Sequence, residues 1–225
     1  MHADDESARA PSPQSLEAPG ASSEGSTPAT GRAEPGDVAS FAELLEPFGI
    51  QAPAHEVIRR EQMPAAAARL LAHRRHMTVT LERRLESALR LAVVESRHRE
   101  PHYSRRIRLH AARTDELALF GVMRFDFRAC SSETRAEILA GGTPLGRILI
   151  ASGALRTVHL HRLIRLPSGS ALRQWYGAND PEATWRVPGD LDARPLWGRL
   201  ASIHCDDRPA VDLVEILAPH LAQAT

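Results

Sequence analysis

Apolar residues recur along this chain with two different periods, and the switches between them mark out its elements. From Asp37 to Phe48 the spacing predicts a short helix, ended by Gly49 and Pro53. Pro64 suits the first turn of a second helix, running through an alanine-rich stretch to about Arg75. Beyond it the period falls to two. Leu85 to Arg97 is mostly apolar and predicts a buried strand. Tyr103 to Ala111 alternates, with Tyr103, Arg105, Ile107 and Leu109 on one face and Ser104, Arg106, Arg108 and His110 on the other. Leu117 to Phe127 predicts a further strand, entered through a hairpin turn at Thr114-Asp115-Glu116. Ser131 or Ser132 caps a helix through about Ala140, and Gly141-Gly142 stops it. Thr143-Pro144 opens another over Leu145 to Ser152, closed by Gly153. Leu155 to Leu166, Leu196 to Cys205 and Ala210 to Leu217 predict three final strands, the last two joined through Asp206-Asp207-Arg208-Pro209. Two helices, three strands, two helices and three strands with short connections predict an α+β fold, with helices packed on an antiparallel sheet.

Composition changes this picture at the ends and in one loop. Residues 1 to about 36 are rich in Ser, Pro, Gly, Ala and Glu and hold no aromatic residue, which predicts a disordered acidic tail. The remaining stretch, residues 37–225, is long enough for one sizeable core and is read as a single domain. Residues 167–194 read as a long loop carrying Trp175, Tyr176 and Trp185, which either fold it onto the body or form a lid over a ring-shaped ligand. Formal net charge is zero, against the basic surplus of a general nucleic-acid binder. All 28 basic side chains are arginine. No apolar run reaches the roughly 20 residues of a membrane span. The first ten residues are polar and acidic rather than apolar, so a cytoplasmic protein is expected. Cys130 and Cys205 make neither a disulfide framework nor a four-thiolate zinc site.

The candidate chemistry sits at two charges in apolar rows. On the last strand Val211, Leu213, Glu215 and Leu217 share a face, so Glu215 is a carboxyl among apolar side chains, where a charge without a partner is costly. Arg105 is the complementary oddity beside Tyr103, Ile107 and Leu109. Such a pair is either a structural ion pair or the two poles of a polar-ligand site. His159 and His161 share a strand face, and His73 and His76 are spaced one helical turn apart, but no third ligand stands at a metal-binding spacing. There is no Gly-rich phosphate loop and no Gly-x-Ser-x-Gly motif, so nucleotide-binding and serine-hydrolase readings lack support.

Four blocks in order carry a resemblance. They are Leu70-Leu71 through His76-Met77-Thr78 to Glu82, then Tyr103-Ser104-Arg105-Arg106-Ile107. Next comes Gly142-Thr143-Pro144-Leu145-Gly146-Arg147-Ile148-Leu149-Ile150, and last Leu196-Trp197-Gly198-Arg199 with Leu213-Val214-Glu215-Ile216-Leu217-Ala218-Pro219. Over about residues 70–219 the chain resembles the chorismate lyase (chorismate pyruvate-lyase) family. The resemblance implies a six-stranded antiparallel sheet, helices on one side, and helical flaps over a buried, water-poor cavity. It implies conversion of chorismate to 4-hydroxybenzoate and pyruvate, with no cofactor and no metal. Arg105 would bind the ring carboxylate with help from the backbone N–H of Leu145, Met77 would line the cavity, and Glu215 would meet the 4-hydroxyl. The product would feed a quinone or an aryl secondary metabolite, and the enzyme is expected to be a monomer without nucleic-acid or membrane partners. The alternatives are a non-catalytic sensor of small aromatic acids, like the effector-binding domains of winged-helix repressors, and an enzyme acting on a chorismate relative. Three features depart from the family pattern: the tail and the 167–194 loop are longer, His73 and Arg74 replace acidic character, and Arg105-Arg106 offers two candidate arginines. Arg105 is chosen because its face is the apolar one.

Overall fold

A computed structural model describes residues 39–167 and 194–223 of the chain. The expected tail, 1–36, and nearly all of the expected loop, including Trp175, Tyr176 and Trp185, lie outside the described residues. In chain order the elements are α1 (Phe41–Leu45), β1 (Glu56–Ile58), α2 (Ala65–Leu71), α3 (Met77–Leu85), β2 (Leu89–Arg99), β3 (His102–Ala111) and β4 (Leu117–Asp126), followed by α4 (Ser132–Ala140), α5 (Leu145–Ala151), β5 (Arg156–Leu166), β6 (Leu196–Cys205) and β7 (Arg208–Leu217). The seven strands form one sheet in the order β1-β5-β6-β7-β4-β3-β2. Every neighbouring pair is antiparallel. The α+β class and the antiparallel sheet are as the periodicity predicts.

Local chemistry explains the main boundaries. Ser40 and Glu43 close a reciprocal capping box at the start of α1, the Ser40 N–H donating to Glu43 Oε2 at 2.6 Å. A single turn of 3-10 helix, Glu46–Phe48, extends it to Gly49, whose φ of 66° ends the segment. Asp206 and Asp207, at φ 49° and 61°, make the two-residue turn of the β6–β7 hairpin, so Arg208 and Pro209 belong to the strand rather than to the connection.

Four expectations need correction. The helix expected to reach Arg75 stops at Leu71, and residues 77–85, between the two expected elements, form α3. The strand expected from Leu85 begins only at Leu89. The β-branched run Thr78-Val79-Thr80 masks α3, while Met77, Leu81 and Leu85 keep the four-residue spacing of a helix face. The sheet has a seventh strand, the three-residue β1, which pairs with the edge of β5 through Glu56, Val57 and Ile58. The helices are not confined to one side. Phe41, Leu44 and Leu45 of α1 pack with Phe120, Val122, Leu200, Val214 and Ile216 on one face. On the opposite face α2 and α3 pack over Leu109, Leu119, Trp197 and Leu217, and α4 and α5 pack over Tyr103, Met123, Phe125 and Leu213.

Candidate functional site

Strand register decides which side chains meet under the four-helix face. Arg105 is opposite Met123 on β4, and Met123 is opposite Leu213 on β7. Glu215 stands two residues along β7, opposite Gly121 on one side and Arg199 on the other. Period two therefore puts Arg105, Ile107, Gly121, Met123, Leu213, Glu215 and Arg199 on one face. Two strand spacings and two residues of rise separate the Arg105 and Glu215 backbones by roughly 12 Å. Between them runs a cavity of about 50 Å³. It is narrow and mostly apolar.

All four residues singled out from the sequence line it: Arg105, Glu215, Met77 and Leu145. Met77 is the first residue of α3, after His76, and Leu145 is the first of α5, after Pro144. The amides of a helix's first turn have no intrahelical acceptor, and the first two residues of each of these helices line the cavity. These two starts are in close contact, since a Cβ on Gly146 would come within 2.9 Å of Thr78 Oγ1. Arg147 of α5 donates to Glu82 of α3 at 2.5 Å, tying the helices together further along. Gly121 lies in the floor between the two poles, where a Cβ would meet Ile107 at 3.0 Å.

The two poles differ in how they are satisfied. Arg105 has no exposed surface, and none of its three guanidinium nitrogens has a hydrogen-bond partner. Burial pushes its pKa below the ordinary arginine value. The Tyr103 phenol opposes that shift without meeting hydrogen-bond geometry at any of the three nitrogens. A buried cation without a counter-charge is costly, and an incoming carboxylate supplies what is missing. Arg106 points to the α1 face, where it donates to Glu95 at 2.5 Å and covers the Phe48 ring, so the choice between the two arginines falls on Arg105.

Glu215 is not the lone carboxyl that its strand pattern suggests, and it does not pair with Arg105. Arg199, 1% exposed, donates from Nε to Glu215 Oε2 at 2.6 Å. Nη1 of Arg199 donates to the His73 carbonyl at 2.9 Å and Nη2 to the Arg75 carbonyl at 3.3 Å. Of the two alternatives, the structural Arg105–Glu215 ion pair is not formed: Glu215 pairs with Arg199, and Arg105 stays without a hydrogen-bond partner. Sequence reasoning quoted Arg199 in a motif and missed it as a site residue. The signal was present: Trp197, Arg199, Ala201 and Ile203 form an apolar row broken by one cation, the same test that found Glu215.

Three comparisons bear on this geometry. No family model matches the chain, and no curated protein matches it. Among solved structures the chain is similar to PhnF from Mycobacterium smegmatis, at 9% identity over 67% of each chain with a TM-score of 0.45. It is similar to a possible transcriptional regulator, YydK, from Bacillus subtilis, at 9% identity over 61% of this chain and 60% of that one, TM-score 0.39. A GntR-family transcriptional regulator from Bacillus cereus matches at 8% identity over 61% of this chain and 96% of that one, TM-score 0.38. With TM-scores below 0.5, these likenesses decide neither activity nor ligand.

The remaining candidates fall outside the cavity or lose their chemistry. His73 and His76 lie in the connection between α2 and α3 rather than on one helix face. His76 lines the cavity, and burial followed by the charges of Arg156 and Arg199 keeps its pKa below the usual histidine value. Burial, with Arg199 and Arg75, depresses His73 to about 4. His159 and His161 face away from the cavity, with His161 Nε2 2.8 Å from Ser202 Oγ. Among the described residues no group of three His, Cys, Asp or Glu is placed to hold a metal ion. Burial pushes both thiols up, which weakens Cys130 and Cys205 as nucleophiles. No described helix is long and apolar enough to cross a membrane.

Proposed function

We propose that the cavity binds a cyclic hydroxy-carboxylate and that the chain is a chorismate pyruvate-lyase. The observation that carries this reading is Arg105, a fully buried cation with three unpartnered nitrogens, lining the same cavity as Glu215. A ring about the size of benzene, with a carboxylate at one end and a hydroxyl at the other, suits poles about 12 Å apart at the backbone. Arg105 takes the carboxylate, helped by the Leu145 amide at the start of α5. Glu215 Oε1 faces the hydroxyl while Oε2 is held by Arg199. The apolar walls exclude water from the ring.

In chorismate the C3–O bond to the enolpyruvyl group breaks, its electron pair leaving with oxygen. The C4 proton is lost as the ring becomes aromatic 4-hydroxybenzoate, and the released enolpyruvate takes up one proton at its methylene carbon to become pyruvate, so the protons balance. Much of the driving force is aromatisation, so the protein mainly fixes the ring at both ends. Purified full-length chain incubated with chorismate should release pyruvate and 4-hydroxybenzoate in equal amounts, read by chromatography, and a chelator should not abolish release. Formation of 3-hydroxybenzoate, or of a dihydrodiol with pyruvate lost, would transfer the reading to an enzyme of a chorismate relative. Saturable binding of chorismate or 4-hydroxybenzoate without turnover would make the chain a sensor of aromatic acids.

A further inference from the structure

We propose that Arg199 is a positioning residue, which aims the Glu215 carboxylate at the ligand hydroxyl and thereby makes the cavity select 4-hydroxylated rings over unsubstituted ones. The inference rests on the reading of the cavity as a hydroxy-acid site. It goes beyond that reading by assigning the choice of ring substituent to a residue that need not touch the ligand's carboxylate.

Glu215 and Arg199 are direct cross-strand partners on β7 and β6. Only Oε2 of the carboxylate is engaged by Arg199, at 2.6 Å through Nε. The two terminal nitrogens of the same guanidinium are bound elsewhere, to the carbonyls of His73 and Arg75. Each of the three guanidinium nitrogens therefore has an acceptor within the wall, and the fork is fixed at both ends. One end is a rigid strand and the other the α2–α3 connection. A planar guanidinium held at three points sets the carboxylate's rotation, which fixes where Oε1 points. Without Arg199, Glu215 would be free to rotate, and its acceptor would lose alignment with a hydroxyl.

Arg199 also links the two halves of the cavity wall. The carbonyls that it binds lie just before His76, Met77 and Thr78, which line the cavity from the start of α3. The only other buried arginine in the lining, Arg105, makes no such bonds. The two cations are thus set for different tasks: one is kept available for a ligand anion, and the other is used up within the wall.

The test compares the full-length wild type with Arg199→Met and Arg199→Lys by calorimetric binding of 4-hydroxybenzoate and of benzoate. A hydrogen bond to a charged group discriminates by about 10- to 150-fold, so wild type should prefer 4-hydroxybenzoate by that range. Arg199→Met should bring the preference within about threefold, with 4-hydroxybenzoate losing far more affinity than benzoate. Lysine keeps the charge beside Glu215 but cannot also span to both carbonyls, so Arg199→Lys should lower the preference threefold or more. If Arg199→Met does not fold, Arg199→Lys supplies the reading. A wild-type preference retained in any folded variant overturns the inference. So does an equal loss of both ligands, which is what a structural role alone would produce. A wild type that binds neither acid removes the hydroxy-acid reading itself, a result distinct from either of those.

Discussion

Replacing Arg105 by methionine should make the ligand-free protein more stable while it destroys the site. Methionine is an unbranched apolar side chain, somewhat shorter and smaller than arginine, and carries no donor. In the wild type the guanidinium is fully buried, with three nitrogens lacking acceptors. Leaving one buried donor unpaired costs about 1–3 kcal/mol, and more when the group is charged. Counting a single such penalty, Arg105→Met should stabilise the empty domain by about 1–3 kcal/mol. For a domain of this size each kcal/mol moves Tm by about 2–4 °C, so the rise should be about 2–12 °C. Affinity for 4-hydroxybenzoate should fall by about 10- to 150-fold with the loss of the charge-assisted pair. Ligand at 100 times the wild-type Kd should then stabilise the wild type by about 2.7 kcal/mol and the variant by only about 0.3–1.4 kcal/mol. Scanning calorimetry with and without ligand reads both effects, and the gap between variant and wild type should close or invert when ligand is added. A ligand-free Tm more than a few degrees below wild type would show that Arg105 has a structural partner and would refute the reasoning.

Acidification should weaken the fold through His73. Its folded pKa of about 4 lies below the ordinary 6.5, so between those values the unfolded chain binds a proton that the folded chain refuses, and stability falls as pH drops through that window. Thermal melts from pH 7 to 4.5 should show this slope, and His73→Gln should flatten it. Gly146→Val should destabilise the domain by about 1–3 kcal/mol and weaken ligand binding, because a Cβ there comes within 2.9 Å of Thr78 Oγ1; unchanged melts and isotherms would show that α3 and α5 can separate freely. Arg147→Ala should cost less than about 1 kcal/mol despite the short contact with Glu82, since the arginine side chain is 53% exposed, and high salt should shrink the difference further.

Much of the fold was legible because strands and helices leave periodic traces that do not depend on their neighbours. β3, β4, β5, β6 and β7, together with α4 and α5, lie close to where alternation, caps and glycines put them. The misses are places where the local signal was short or contradictory. The three residues of β1 are too few to show a period. The threonines and valine of α3 favour strand locally, and packing of Met77 and Leu81 against the sheet overrides them. Arg105 and Glu215 could be found because each is a charge in an apolar row, a pattern visible in one strand alone.

The chain's own order of residues was sufficient for the class, for most strand positions and for those two charges, since each depends on side-chain alternation within a single element. Pairing belonged to the tertiary structure. Whether Glu215 answers Arg105 or Arg199 turns on which strands become neighbours and in what register, and β6 and β7 set Arg199 directly beside it. The same registers leave Arg105 two strands away and without an acceptor, so that of two charges alike in sequence one is paired within the wall and the other is not.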